Sequence, residues 1–305
     1  MATAPSTTPH KVEHFHAIVI DASPELHQAL QQLFDQADWD VAFAADNRQA
    51  LKLALANPCD LIITGERSSS RDDLELLHHL LPACPHTRLI ILAEKANPAA
   101  VMASIRARAF SYFSRPISTD RLAEMIRIAM EEPFWDDGIQ IVSATPNWVA
   151  LSVRADLMTA NRLLQFYREA SDLTPAQTEE FAIAFREILL NAMEHGAHFN
   201  PELRVEVCYI RTSRAVICRV EDPGEGFKLD AIKHSAFTNP PEDPFRHMAE
   251  REQKGFRPGG FGLLMVKQLV DDLVFSEKGN EVMLVKYLDQ PSSHPAPTEP
   301  ETEPA

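Results

Sequence analysis

Glu187-Ile-Leu-Leu-Asn191-Ala-Met-Glu194-His195-Gly196 is the stretch on which the reading of this chain turns. It closes a run from Pro175 to His195 in which Phe181, Phe185, Ile188 and Leu189 recur at helical spacing. On such a helix Glu187, Asn191 and His195 stand at i, i+4 and i+8 and project from one face, with the apolar residues on the other. An ordinary surface helix with a polar stripe gives the same pattern. The functional alternative pairs an acid able to take a proton from an attacking hydroxyl with an amide oxygen one turn later. That oxygen suits Mg2+, a hard ion that keeps waters and borrows phosphate oxygens.

Two further motifs follow. Asp222-Pro-Gly224-Glu-Gly226-Phe227 comes directly after an apolar, strand-like run. Its carboxylate can accept the exocyclic amine of adenine, and its glycines permit positive φ and close backbone approach; Asp-Pro-Gly is equally good chemistry for a plain β-turn. Pro258-Gly259-Gly260-Phe261-Gly262-Leu263 then opens onto an apolar helix. Backbone N–H groups and the helix dipole favour phosphate there, although a glycine-rich hinge reads the same way. Each motif alone is weak. Asp222 lies 26 positions after Gly196, with a long polar stretch before the last motif, and this order turns three patterns into one nucleotide site.

Composition bounds the alternatives. A chain of 305 residues has room for two domains, and 45% hydrophobic with 24% charged residues is ordinary for a globular protein. The net charge of −15 opposes a phosphate backbone, and no dense basic patch offsets it, so nucleic-acid binding is not expected. Cys59, Cys84, Cys208 and Cys218 are scattered without a C-x-x-C pair and read as reduced core thiols. His14 and His16 lack a third ligand nearby and read as a solvated strand entrance. No apolar run has the length of a membrane span, and the N-terminus lacks a signal-peptide apolar region. The expectation is a cytoplasmic protein without a membrane partner.

Residues 1–13 and 290–305 are rich in proline and small polar residues and are expected to be a disordered lead and tail. Over 14–131, the short apolar runs Ala17–Ile20, Leu61–Thr64, Leu89–Leu92 and Phe110–Phe113 alternate with helical stretches. Those stretches are Pro24–Ala37, Asn47–Ala56, Asp72–Leu81, Pro98–Ala107 and Ser118–Glu131. This alternation predicts an α/β fold with a doubly wound parallel sheet. A linker is expected at 132–138. Beyond it, over 139–289, the elements come in blocks. Strands are expected at Ile139–Val142, Trp148–Val153, Val205–Tyr209, Ala215–Val220 and Glu281–Tyr287, and helices at Leu157–Ala170, Pro175–His195 and Gly262–Leu273. That order predicts an α+β layered sandwich with a mixed, mainly antiparallel sheet.

Residues 15–130 resemble the response-regulator receiver family, at Val19-Ile-Asp21, Asp60-Leu-Ile-Ile and Tyr112-Phe-Ser-Arg115-Pro116. The family's phosphoryl chemistry uses an aspartate at the end of the third strand, where this chain has Gly65. Of the acids that would hold Mg2+ only Asp21 remains, beside Ala22; Ala93 stands at the switching hydroxyl and Arg115 at the phosphate-pairing lysine. The resemblance therefore implies a pseudo-receiver kept for packing, dimerisation or partner docking, with a homodimer among its possible assemblies. Glu66 as a built-in mimic of a phosphorylated acid is the lesser alternative. His78 and His79 lack the followers of a phosphotransfer histidine and read as structural.

Residues 139–288 resemble the gyrase/Hsp90/histidine-kinase/MutL ATP-binding superfamily and, within it, bacterial anti-sigma-factor serine kinases. An E-x-x-x-N-A-x-x-H-G box is matched by Glu187, Asn191, Ala192, His195 and Gly196. A D-x-G-x-G-F box is matched by Asp222, Gly224, Gly226 and Phe227, and a G-x-G-L box by Gly260, Gly262 and Leu263, with Gly259 and Phe261 in the same loop. The resemblance implies ATP and Mg2+ as cofactors, Asn191 on the metal, Asp222 on adenine and Glu187 as the base that activates a serine or threonine. The implied activity is that of a serine/threonine protein kinase and anti-sigma-type regulator. Its implied partners are an anti-anti-sigma (STAS-type) protein, a sigma factor, or both. Lys228 in place of a small residue and the long, proline-bearing segment 230–258 depart from the family; Arg251, Lys254 and Arg257 there could meet the γ-phosphate or simply be solvated. The alternative is a non-catalytic ATP-binding module that sequesters a sigma factor or another partner. A sensor histidine kinase core is disfavoured, because no phospho-acceptor histidine helix precedes Ile139.

Overall fold

The computed structural model of the chain describes residues 15–20, 24–34, 39–65, 69–131, 137–145, 147–226 and 262–288. The expected lead and tail, Asp21, Ala22, Glu66, most of the linker, Phe227, Gly259, Gly260, Phe261 and the segment with Arg251, Lys254 and Arg257 lie outside the described residues. The chain divides into two compact units. One comprises the chain up to Ile141 together with Asp156–Asp172; the other comprises Val142–Ala155 and the chain from Leu173 onward.

In the first unit, β1 (Phe15–Ile20), β2 (Trp39–Ala44), β3 (Leu61–Ile63), β4 (Arg88–Ala93) and β5 (Ser111–Ser114) form a parallel sheet in the order β2-β1-β3-β4-β5. Its helices are α1 (Pro24–Phe34), α2 (Asn47–Ala56), α3 (Ser70–Leu80), α4 (Pro98–Arg106) and α5 (Thr119–Ala129). β3 and β4 are buried along their whole length, as the central strands of a parallel sheet are, including Arg88 at the start of β4. β2 was not legible as an apolar run: it is an edge strand on which Asp40 and Phe43 stay exposed. Side chains start the helices where the sequence provides caps. Asp46, Ser69, Asn97 and Ser118 each accept from a backbone N–H of the first turn.

A sixth helix, α6 (Leu157–Ala170), belongs to this first unit although it follows the linker in sequence. It packs against β5, α4 and α5, and Met158 joins the core with Phe110, Phe113 and Met125. Polar side chains fix its register. Arg162, 1% exposed, donates from Nε to Phe110 O at 2.8 Å and from Nη2 to Ala109 O at 3.2 Å. Its Nη1 meets Asp137 Oδ1 at 3.0 Å. Gln165 donates to Tyr112 O at 2.9 Å, and Ser114 Oγ donates to Glu169 at 2.6 Å. Backbone carbonyls just before β5 and within it are thus satisfied by side chains of a helix from beyond the linker.

The second unit is built on a sheet in the order β10-β11-β9-β8-β7-β6. Its strands are β6 (Ile139–Thr145), β7 (Trp148–Arg154), β8 (Arg204–Arg211), β9 (Ala215–Glu221), β10 (Asp272–Phe275) and β11 (Glu281–Tyr287). The pairings β7–β8, β8–β9, β9–β11 and β10–β11 are all antiparallel. Two helices, α7 (Pro175–Asn191) and α8 (Gly262–Leu269), pack on each other. α7 opens with a capping box between Thr174 and Gln177 and buries Phe181, Phe185, Ile188 and Leu189. Lys286 on β11 reaches Glu180 on α7 and Leu269 O at the end of α8, both at 3.1 Å. A cation at a helix C-terminus is favourable for the dipole. Among the described residues no helix is long and apolar enough to cross a membrane.

Candidate nucleotide-binding site

α7 does not continue unchanged to His195. After Asn191 it widens into a π-helical turn, Ala192–Gly196, closed by the i→i+5 bond from Ala197 N to Ala192 O at 3.0 Å. Such turns advance less per residue around the axis than an α-helix and recur at functional sites. Glu187 and Asn191 remain one α-turn apart and half-buried, whereas His195 leaves their strict i+8 alignment and is exposed. Met193 and Ala197 are fully buried, so the widened turn is anchored while its polar side faces out.

The turn delivers Gly196 to Asp222. A Cβ added to Gly196 would lie 2.2 Å from the Asp222 carboxylate, and one added to Gly224 would lie 3.0 Å from Gly196 Cα. Only glycine lets these two backbone segments come so close. Asp222 accepts a hydrogen bond from Gly224 N at 2.8 Å. Burial raises its pKa above the ordinary aspartate value, and the Glu221 charge adds to that shift. The Gly224 N–H, Lys278 and His195 oppose it. The carboxylate is therefore neither freely solvated nor locked in an ion pair, which leaves it able to accept from a ligand.

Gly262 closes the third side. A Cβ there would lie 1.9 Å from Glu187 Oε1, so the N-terminus of α8 abuts the acid of α7. Leu263 follows on the same turn, half-buried. The structure thus brings Glu187 to Gly262 and Gly196 to Asp222 and Gly224. Gly226, at φ 77°, stands against Lys278, where a Cβ would meet the carbonyl oxygen at 2.1 Å.

Lys278 and Asn280 were not singled out from sequence. They sit in the turn between β10 and β11, which the register Glu281↔Glu221 sets beside the Asp222 loop. Asn280 Nδ2 donates to Asp222 O and Asp222 N donates to Asn280 O, both at 2.9 Å. Lys278 Nζ donates to Gly224 O at 2.9 Å. The polar run Ser276-Glu-Lys-Gly-Asn280 marks a turn in sequence, but its neighbour is fixed only by strand order.

For Mg2+ the donor set decides the fit. The described residues hold no cluster of three or more His, Cys, Asp or Glu able to cage a metal. One neutral amide oxygen, that of Asn191, fits an ion whose remaining ligands are water and phosphate oxygens. The four cysteines are free and buried, and burial pushes the Cys59 thiol up to about 12.

Comparison with known proteins finds two matches along the chain. Residues 17–127 match the family described as response regulator receiver domain, and residues 152–286 match the histidine kinase-like ATPase domain. The serine-protein kinase RsbW of Oceanobacillus iheyensis is 26% identical over 148 residues, covering 48% of this chain and 84% of that protein. The response regulator protein PilR of Pseudomonas aeruginosa is 22% identical over 114 residues, 37% of this chain, and the chain spans only 26% of that protein's length. A solved response regulator from Thermotoga maritima is 18% identical with a TM-score of 0.36, covering 39% of this chain and 100% of that one. The chain joins a response regulator receiver domain to a histidine kinase-like ATPase domain, and that second domain is similar to a serine-protein kinase.

Proposed function

We propose that the second unit is an ATP-dependent serine/threonine protein kinase of the anti-sigma type, working in a partner-switching pathway. One observation carries the reading: the acid of α7, one turn before Asn191, abuts the N-terminus of α8 at Gly262, while the glycine-walled Asp222 lies one widened turn further on. Asp222 accepts from the adenine amine. The N-terminus of α8 favours the phosphates. Asn191 would hold Mg2+, which when bound neutralises charge developing on the phosphates.

Glu187 takes the proton of a serine or threonine hydroxyl on the partner. The hydroxyl oxygen bonds to the γ-phosphorus as the bond from that phosphorus to the bridging oxygen breaks, and ADP leaves with the electron pair. Positioning and charge stabilisation carry most of such a transfer, so one base and one glycine loop suffice. The expected substrate is a STAS-type anti-anti-sigma protein, with a sigma factor as the competing partner. Gly65, just past β3 and buried, offers no carboxylate to phosphorylate, so the receiver serves for docking or regulation.

Purified protein with ATP and Mg2+ is expected to label a cognate anti-anti-sigma protein on serine or threonine. Glu187→Gln should lower the transfer rate about 100-fold or more with little change in ATP affinity. An unchanged rate sinks the base assignment. The contact of Glu187 Oε1 with Gly262 favours a second reading, in which the acid holds the N-terminus of α8 in place and nucleotide binding alone controls partner capture. In that case ATP binds without transfer to any partner, and Glu187→Gln alters ATP affinity instead.

A further inference from the structure

We propose that the β10–β11 turn, through Lys278 and Asn280, is the positioning element that makes this site select adenine over guanine. The inference rests on the ATP reading of the site. Asn280, 8% exposed, and Asp222 exchange hydrogen bonds in both directions, fixing the backbone of the acid. Lys278 ties down the next residue but one through Gly224 O, and Gly226 packs on the Lys278 carbonyl. The loop bearing the acid is thereby held at three successive points by a turn that neither glycine motif includes.

The chemistry follows from what a carboxylate can do. Ionised, it only accepts hydrogen bonds, so it suits the exocyclic amine of adenine and opposes the carbonyl oxygen that guanine presents at the same place. Protonated, it gains a donor and the opposition fades. Burial favours the protonated form, and Glu221 pushes the same way. The cations facing the acid are Lys278 from the turn and His195 from the widened end of α7. Of the two, Lys278 is the one tied to the acid's own loop, through its hydrogen bond to Gly224 O. Asn280 acts differently: without its side chain the Asp222 backbone loses one of the two bonds that fix it where Gly196 and Gly224 leave room for the acid.

The test titrates the full chain with ATP·Mg2+ and with GTP·Mg2+ and reads the ratio of the two dissociation constants. The parent should prefer ATP. Lys278→Met and Asn280→Ala should each narrow the ratio by about tenfold, because a site built to pair one polar group rejects its mismatch only while that group stays in place. Lys278→Arg should keep the parent's ratio. Melting temperatures without nucleotide separate this effect from misfolding. Equal weakening of both nucleotides, or an unchanged ratio, overturns the proposal while leaving ATP binding intact. A parent that binds neither nucleotide overturns the ATP reading itself.

Discussion

Gly196 shows how little room the site leaves at the scale of one residue. Its φ is an ordinary one, so alanine there costs the backbone nothing, yet the new methyl would lie 2.2 Å from Asp222 Cγ and 2.4 Å from Asp222 Cβ. Because the clash reaches Cβ, a swing of the carboxylate alone does not relieve it, and the turn or the acid must shift. Gly196→Ala should therefore weaken ATP binding about 10- to 100-fold, the worth of one hydrogen bond to a charged group. The melting temperature should stay within a few degrees of the parent's. Calorimetric titration checks the first and a thermal melt the second; unchanged affinity would mean that Asp222 does not touch the nucleotide. That Glu187 and Asn191 share a helix and that Gly196, Gly224 and Gly262 mark close approaches was legible in sequence, because each of these features needs a particular residue type at a fixed spacing. Lys278 and Asn280 were not, since their roles come from a strand register that brings together residues more than fifty positions apart.

At the scale of elements, the same contrast separates α7 from α6. Four apolar residues on one face declare α7, but nothing in the local sequence announces the widening after Asn191, because a π-turn costs one displaced hydrogen bond and no residue type demands it. α6 was legible as a helix, and its surroundings were not. Arg162, Gln165 and Glu169 look like a solvated face, yet they bond the carbonyls of residues 109, 110 and 112 and the hydroxyl of Ser114. Breaking the buried Arg162–Asp137 pair would leave an uncompensated charge, worth about 3–5 kcal/mol. Glu169 adds a pH dependence. Burial raises its pKa, against the hydrogen bonds from Ser114 and Gln165 and the charge of Arg121. A carboxyl that holds its proton more tightly when folded stabilises the fold below the ordinary glutamate range, and that stability is lost as pH rises through the folded value. Thermal melts from acid to neutral pH should show the parent losing ground to Glu169→Gln as pH rises. Parallel profiles would show that Glu169 titrates alike in both states.

At the scale of the whole molecule, the two sequence-family matches and the two packing units are not the same division. The ATPase match begins at 152, but the residues at 156–172 inside it pack with the receiver. The chain crosses between units at Ile141, Ala155 and Asp172, and only four residues separate the end of α6 from the start of α7, which carries Glu187 and Asn191. A helix that is apolar on its buried side cannot be left bare in water: each large side chain exposed forfeits about 1.5–3 kcal/mol. Deleting residues 1–130 removes α4, β5 and α5 and with them the partners of Arg162, Gln165 and Glu169. The remaining fragment should melt at least ~5 °C below the corresponding transition of the full chain, because a loss of a few kcal/mol moves a unit of this size by that much. It should also bind ATP more weakly, since α7 would start from an unanchored helix. Adding the receiver back as a separate chain, residues 1–138, should restore part of both properties by covering α6. A fragment with the full chain's melting temperature and ATP affinity would mean that α6 finds other cover and that the receiver's hold on it has no bearing on the nucleotide site.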